Sequence, residues 1–399
     1  MLAFMLFAIG VHADFEAGNV GKVEQVSETH FRCAVPGETD QDRRNRQPSW
    51  FYFRMDGVAG REITVDLVAL EGEYNYRPHQ GQGLRTMRPV FSYDNRNWEH
   101  FDSSEWLEKP STIRLRFRPA KDRVWIARIP PYTNRDLETL LDGFRRHPHF
   151  RQETIGKTVD GKPILLLTVT NPKTPASAKK VIWLMARQHS WESGTSWVAE
   201  GALRFLLSGD AGAMRIRDQF VFKIIPMADP DGVARGGVRF NKYGYDLNRN
   251  WDTVEPKLMP EIWAQRKAVI DWVDGGNRID LFLTLHNTET ADYIEGPLSA
   301  GGPEVKALGQ RFWKLLDEQT KFYSPRGPRD AAVSTTPGMK GRMAVNQALF
   351  HDRKIPAFLM ELMVDSSPKL SRPPKVADRL EFGAALVRVM SRAVAGSAR

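Results

Sequence analysis

The stretch Val181-Ile182-Trp183-Leu184-Met185-Ala186 is an apolar run, and Arg187-Gln188-His189-Ser190-Trp191-Glu192 follows it at once. The run reads as a buried strand. The residues after it carry chemistry: His-x-x-Glu places an imidazole and a carboxylate one short turn apart, two N/O donors that close on one zinc ion. A closed structural zinc site needs four protein ligands, usually with cysteines among them, and the only cysteine is Cys33, far off in the chain. The expectation is therefore a catalytic metal position with one place left open.

A third ligand is offered by His286, at the end of the apolar run Ile279 to Leu285. In α/β sheets ligands bind beyond the carboxyl ends of the strands, so His189 and His286 are expected at one edge. The strand Phe220 to Ile225 leads to Asp229-Pro230-Asp231-Gly232, expected as a turn on that edge. Asn248 and Arg249 then form a fork of amide and guanidinium donors suited to a carboxylate. Near the end, Glu361 interrupts the apolar run Lys354 to Leu362, where a buried carboxylate needs a partner or a job, and general base is one such job. Taken singly, each has a structural alternative: a chance pair, a hydrogen-bonding histidine, a salt bridge, a core glutamate.

As an ordered set, His189-x-x-Glu192, Asp229-Pro230-Asp231-Gly232-Val233, Arg239, Asp246-Leu247-Asn248-Arg249-Asn250-Trp251, His286 and Glu361 resemble the M14 zinc carboxypeptidases. Within them the chain is similar to the cytosolic carboxypeptidase-like, deglutamylase-type group, whose β-rich amino-terminal domain is matched through Trp50 to Arg54 and Pro130-Pro131-Tyr132-Thr133. The resemblance implies that His189, Glu192 and His286 bind one zinc ion, and that Asn248 and Arg249 hold the substrate's terminal carboxylate. It implies that Arg239 stabilises the oxyanion and that Glu361 is the base acting on the attacking water. Two departures stand out. No tyrosine occurs from Ser324 through Met360, where many relatives carry a mobile one, and Ser190-Trp191 replaces the usual proline and glycine between the ligands.

Arg235 lies in the same Gly-rich loop as Arg239, but the spacing of Arg239 to Asn248 fits the family. The segment before Glu361 carries Lys340, Arg342, Arg353 and Lys354, so an acidic C-terminal residue is the expected preference.

With 399 residues, 41% of them hydrophobic, the chain has room for two cores. Up to about Arg128, short alternating runs such as Ile63 to Val68 and Ile113 to Phe117 predict a β-sandwich. Beyond Pro130-Pro131, strands alternate with helices expected at Thr195 to Ser208, from Pro260 to Gly275-Gly276, Pro303 to Thr320 and Ala377 to Ala395. The expected architecture is α/β: a zinc-carboxypeptidase-like α/β/α sandwich with a mixed sheet at 129–399, behind an amino-terminal β-sandwich domain at 14–128.

Residues 1–13 are apolar and end in Val-x-Ala, and are read as the remnant of a signal peptide. A periplasmic or secreted protein is expected on that reading, with a cytoplasmic one as the alternative. A mean hydropathy of -0.44 excludes a polytopic membrane protein, and no stable membrane insertion is expected. A net charge of +9 raises nucleic acid as a partner, but the basic residues are dispersed and no binding motif accompanies them. The expected partner is a peptide or protein C-terminal tail, and the expected activity is hydrolysis of the C-terminal peptide or isopeptide bond. Other readings remain: a zinc amidohydrolase acting on cell-wall peptides or, like aspartoacylase, on small acylated amino acids, and a non-catalytic binding protein. Oligomeric state is not legible.

Overall fold

A computed structural model describes residues 8–331 and 341–396. The expected alternation up to Arg128 closes into two five-stranded sheets. One runs Gly10–His12, Tyr52–Asp56, Arg123–Ala127, Val90–Ser92, Glu99–His100, and the other Glu105–Glu108, Ser111–Phe117, Ile63–Val68, His30–Ala34, Val23–Ser27. Every second residue points inward, so Phe53, Met55, Val65, Leu67, Ile113, Leu115, Val124 and Ile126 fill one core. Cys33 belongs to it, and burial pushes its thiol up to about 12, which makes it a small hydrophobe rather than a ligand. A two-stranded hairpin, Gly72–Tyr74 with Arg77–His79, projects from this unit.

The remainder is built on one eight-stranded sheet. Its order is Phe150–Lys157, Pro163–Val169, Phe220–Ile225, Lys180–Ala186, Leu281–Thr288, Ala357–Met363, Tyr293–Gly296, Arg329–Asp330. Four central strands run parallel and the flanking pairs are mostly antiparallel. Both faces are covered, which is why Lys180–Ala186 reads as unbroken hydrocarbon: Ile182 and Leu184 pack on one face, Val181, Trp183 and Met185 on the other. The first face carries the helices Ser193–Leu206, Gly302–Gln319 and Val376–Ala395; the second carries Pro260–Asp274 and Val345–Arg353. The mixed α/β sheet with a sandwich in front is the expected architecture.

Where Ser193–Leu206 crosses Val376–Ala395 the backbones nearly touch. A Cβ at Gly201 would stand 2.1 Å from the Leu380 carbonyl oxygen, and one at Gly383 would stand 2.1 Å from that of Val198. Asp229-Pro230-Asp231-Gly232, expected as a turn, is the first turn of the helix Pro230–Arg235. Asp229 accepts from the Gly232 N–H, Pro230 supplies a helical φ at the first position, and Gly236 at φ 68° ends it. A cluster of Ala17, Trp50, Tyr52, Ala127, Ile129, Trp191, Val238 and Val364 joins the sandwich to the eight-stranded unit. No helix among the described residues is long and apolar enough to cross a membrane.

Candidate active site

Three strand ends build the site. After Lys180–Ala186 the backbone turns sharply: Arg187 takes φ 63°, a left-handed conformation uncommon for a non-glycine residue. Its buried guanidinium holds the turn, Nε donating to Ser190 O (2.8 Å) and Nη1 to Ser196 Oγ (3.1 Å). His189 and Glu192 lie on this turn, just before the helix Ser193–Leu206. His286 and Glu361 sit opposite each other on neighbouring parallel strands.

The ligand atoms of His189, Glu192 and His286 lie within 4.8 Å of one another, all three residues buried. His189 Nδ1 is 2.8 Å from Glu192 Oε1, and His286 Nδ1 is 3.0 Å from Glu192 Oε2. The outer ring nitrogens are held from behind: His189 Nε2 lies 3.1 Å from Asp246 Oδ1, His286 Nε2 3.1 Å from Gln188 Oε1. Both partners are acceptors there, so each Nε2 carries the proton and each neutral ring turns a lone pair toward Glu192. Two lone pairs and a carboxylate converging in a buried pocket require a positive charge among them. Glu192 Oε2, despite its closeness to His286, makes no hydrogen bond of acceptable geometry. The donor set of two imidazoles and one carboxylate, each imidazole braced by an acceptor, fits a zinc ion with an open position.

Arg239 lines the same cleft, with Glu192 and Glu361, in a space of about 300 Å³. Its Nε donates to Asp246 Oδ2 (2.6 Å), and its Nη1 stands 3.5 Å from His189 Nδ1. Against burial, which alone would raise it, Arg239 and His189 hold the Asp246 carboxyl well below the usual range. Arg235 points away and pairs with Glu38 (2.9 Å). Burial first, and then the Glu192 charge, push the Glu361 carboxyl well above the ordinary carboxylate range, with Arg239 opposing them. Among the described residues Glu361 Oε2 has no hydrogen-bond partner.

Asn248 Oδ1 accepts from Val345 N (3.0 Å), and Nδ2 lies 3.3 Å from His286 Nε2, which carries its own proton and does not accept from it. Among the described residues Arg249 keeps most of its fork, only Nη1 donating, to Asn248 O (2.8 Å). The basic residues before Glu361 divide. Arg353, paired with Asp274 at 2.8 Å, and Lys354 precede Ala357–Met363 and so lie at the edge opposite the site. Arg342 is close enough to Arg249 to help lower its pKa, after burial. Lys340 lies outside the described residues.

Several functional neighbours were missed by sequence reasoning. Asp246 and Gln188 were quoted in motifs without a role, and their places beside the ligands were the available signal. Tyr74 and Glu73 of the hairpin, together with Tyr293 and Glu289, also line the cleft, and nothing in their sequence context marks them.

Residues 137–295 match the family model described as zinc carboxypeptidase, and residues 11–129 match the cytosolic carboxypeptidase N-terminal domain. Cytosolic carboxypeptidase 3 of Bos taurus is 27% identical, over 76% of this chain and 32% of its own length. Cytosolic carboxypeptidase 2 of Macaca fascicularis is 32% identical, over 64% and 32%. Cytosolic carboxypeptidase 6 of Caenorhabditis elegans is 27% identical, over 78% and 70%. The chain thus spans about a third of the first two relatives. Among solved structures, a metallo-carboxypeptidase from Burkholderia cenocepacia superposes with a TM-score of 0.84 at 23% identity, covering 98% of this chain and 100% of that one. One from Pseudomonas aeruginosa, in complex with (2-guanidinoethylmercapto)succinic acid, gives 0.80 at 23% identity, covering 96% and 98%. These two share the fold. The relatives correct the expectation of a periplasmic or secreted protein, since they are named cytosolic and the amino-terminal match is to a cytosolic carboxypeptidase domain. Moreover Gly10–His12, counted above with a signal peptide, pairs with Arg54 to Asp56 inside the sandwich.

Proposed function

Because this chain belongs to the M14 zinc carboxypeptidases, and within them to the cytosolic carboxypeptidase-like group, we propose that it removes C-terminal residues from peptide or protein tails in the cytoplasm. The observation that carries this reading is the convergence of His189, Glu192 and His286 within 4.8 Å, beside Glu361 on the adjacent strand. We assign the three as ligands of one zinc ion. That ion supplies Lewis acidity to the scissile carbonyl and to the attacking water.

The remaining chemistry belongs to side chains. Arg249 takes the terminal carboxylate with its uncommitted N–H groups, and Asn248, locked by Val345, fixes the loop from which Arg249 reaches. Arg239 meets the negative charge that develops on the carbonyl oxygen, and Asp246 keeps its guanidinium charged and aimed. Glu361, opposite His286 on the neighbouring strand, takes the proton from water at Oε2 and returns it to the leaving amine. The catalytic unit is proposed at 129–399, with the sandwich before it, which includes the strand Gly10–His12, forming the far wall of the cleft. Arg342 beside Arg249 favours an acidic terminal side chain.

The test is hydrolysis by the zinc-loaded protein of peptides ending in Glu, Lys or Phe, their C-terminal amides, acylated aspartate and wall peptides. Release of free C-terminal amino acids, fastest from Glu, is the expected result. Turnover of acylated aspartate or of amidated peptides alone would replace the reading.

A further inference from the structure

Trp191, between His189 and Glu192, is held by a cation that belongs to the sandwich. Arg128 directly follows the strand Arg123–Ala127, and its backbone N–H donates to Phe51 O (3.1 Å). Its side chain is 0% exposed, and the guanidinium carbon stands 3.8 Å from the centre of the Trp191 ring. The same guanidinium donates to Ser49 O and ion-pairs with Glu289, three residues past His286. One buried cation therefore grips both segments that carry the ligands, from outside the eight-stranded unit.

This is a costly arrangement. Burial pulls the Arg128 pKa down, Glu289 only partly compensates, and Nε makes no hydrogen bond among the described residues. An apolar residue of similar volume would serve packing as well or better, because a buried ion pair rarely gains net stability over hydrocarbon. What hydrocarbon cannot do is fix two separate segments in direction, through one guanidinium N–H on Glu289 and a π face on Trp191.

We propose that Arg128 is a positioning residue for the metal: through Trp191 and Glu289 the amino-terminal sandwich sets the spacing of the three ligands, so zinc retention depends on that domain. The inference rests on His189, Glu192 and His286 being the zinc ligands. Partners that orient ligands contribute about 10- to 100-fold in metal affinity, and that range is the expected effect.

The test uses the full chain: wild type, Arg128→Met, Trp191→Leu, the double variant and Glu289→Gln. Zinc content and the rate of zinc transfer to a chromophoric chelator are measured beside the melting temperature of each metal-free protein. Wild type should hold one zinc and release it slowly. Arg128→Met and Trp191→Leu should each release it about 10- to 100-fold faster, the double variant no faster than the worse single one, and Glu289→Gln several-fold faster than wild type. If Arg128→Met does not fold, Trp191→Leu and Glu289→Gln decide. Folded variants whose melting temperature drops while release stays within about twofold of wild type would overturn the proposal, leaving Arg128 a packing residue. A wild type that binds no zinc would remove the ligand assignment itself, a result distinct from equal release rates.

Discussion

Asp229 should make this protein progressively less stable as pH rises toward neutrality, and Asp229→Asn should abolish that loss. The residue is fully buried, and burial raises its carboxyl from 3.8 to about 7. Arg235 and the Gly232 N–H oppose the shift, while Glu261 and Glu38 add to it. Oδ1 caps the helix Pro230–Arg235, whereas Oδ2 has no hydrogen-bond partner among the described residues. The sign follows from linkage. Below the unfolded pKa near 4 both states are protonated and nothing is lost. Between about 4 and 7 the unfolded chain gives up its proton more readily than the native one, and stability falls until the native pKa is passed. Three pKa units at 1.36 kcal/mol each set the full effect at about 4 kcal/mol, as an order of magnitude. Asparagine keeps the capping oxygen and carries no charge. Urea unfolding of both proteins, stripped of metal by the same chelator, should give stabilities within about 1 kcal/mol at pH 4.5 and a variant more stable by about 2–4 kcal/mol at pH 8. A difference between the two proteins that does not grow with pH would refute the reasoning, because titrating groups that do not interact with Asp229 cancel in it.

Glu361→Gln should lower kcat by about 10²- to 10⁴-fold while zinc content, read by elemental analysis, stays at the wild-type level, since the amide keeps the shape but accepts no proton. Arg249→Ala should cost about 10- to 150-fold in kcat/KM on free C-termini, through loss of hydrogen bonds to a charged group, and far less on amidated peptides; equal losses on both would remove the carboxylate-holding role. Gly201→Ala should lower stability by about 1–3 kcal/mol in urea unfolding, because its methyl would meet the Leu380 carbonyl oxygen, and an unchanged midpoint would show that the helix crossing yields freely.

Much of the site was written in local spacing. His-x-x-Glu on the turn after a buried run, a second histidine at a strand end and a glutamate interrupting another strand follow from rules that act over a few residues, and the strands and four expected helices fell within a few positions of their places. The helices Asn134–Asp142, Ala211–Gln219 and Val345–Arg353 escaped, each only nine residues long, although Thr133 and Asp136 cap the first and Leu137, Leu140 and Leu141 give it a buried face; Pro230–Arg235 was taken for a turn because proline and glycine mark both. The export reading was overturned by the relatives, which are named cytosolic.

By itself the sequence determined which chemistry was available, because ligand type, strand-end position and spacing are properties of neighbours along the chain. Only the tertiary structure decided which groups stand behind that chemistry. Asp246 behind His189, Gln188 behind His286, and Arg128 of the sandwich against Trp191 and Glu289 are mostly contacts between residues far apart in sequence. Such contacts are fixed by how the sandwich and the sheet pack, since charge and hydrogen bonding act through space and the order of residues along the chain does not encode that distance.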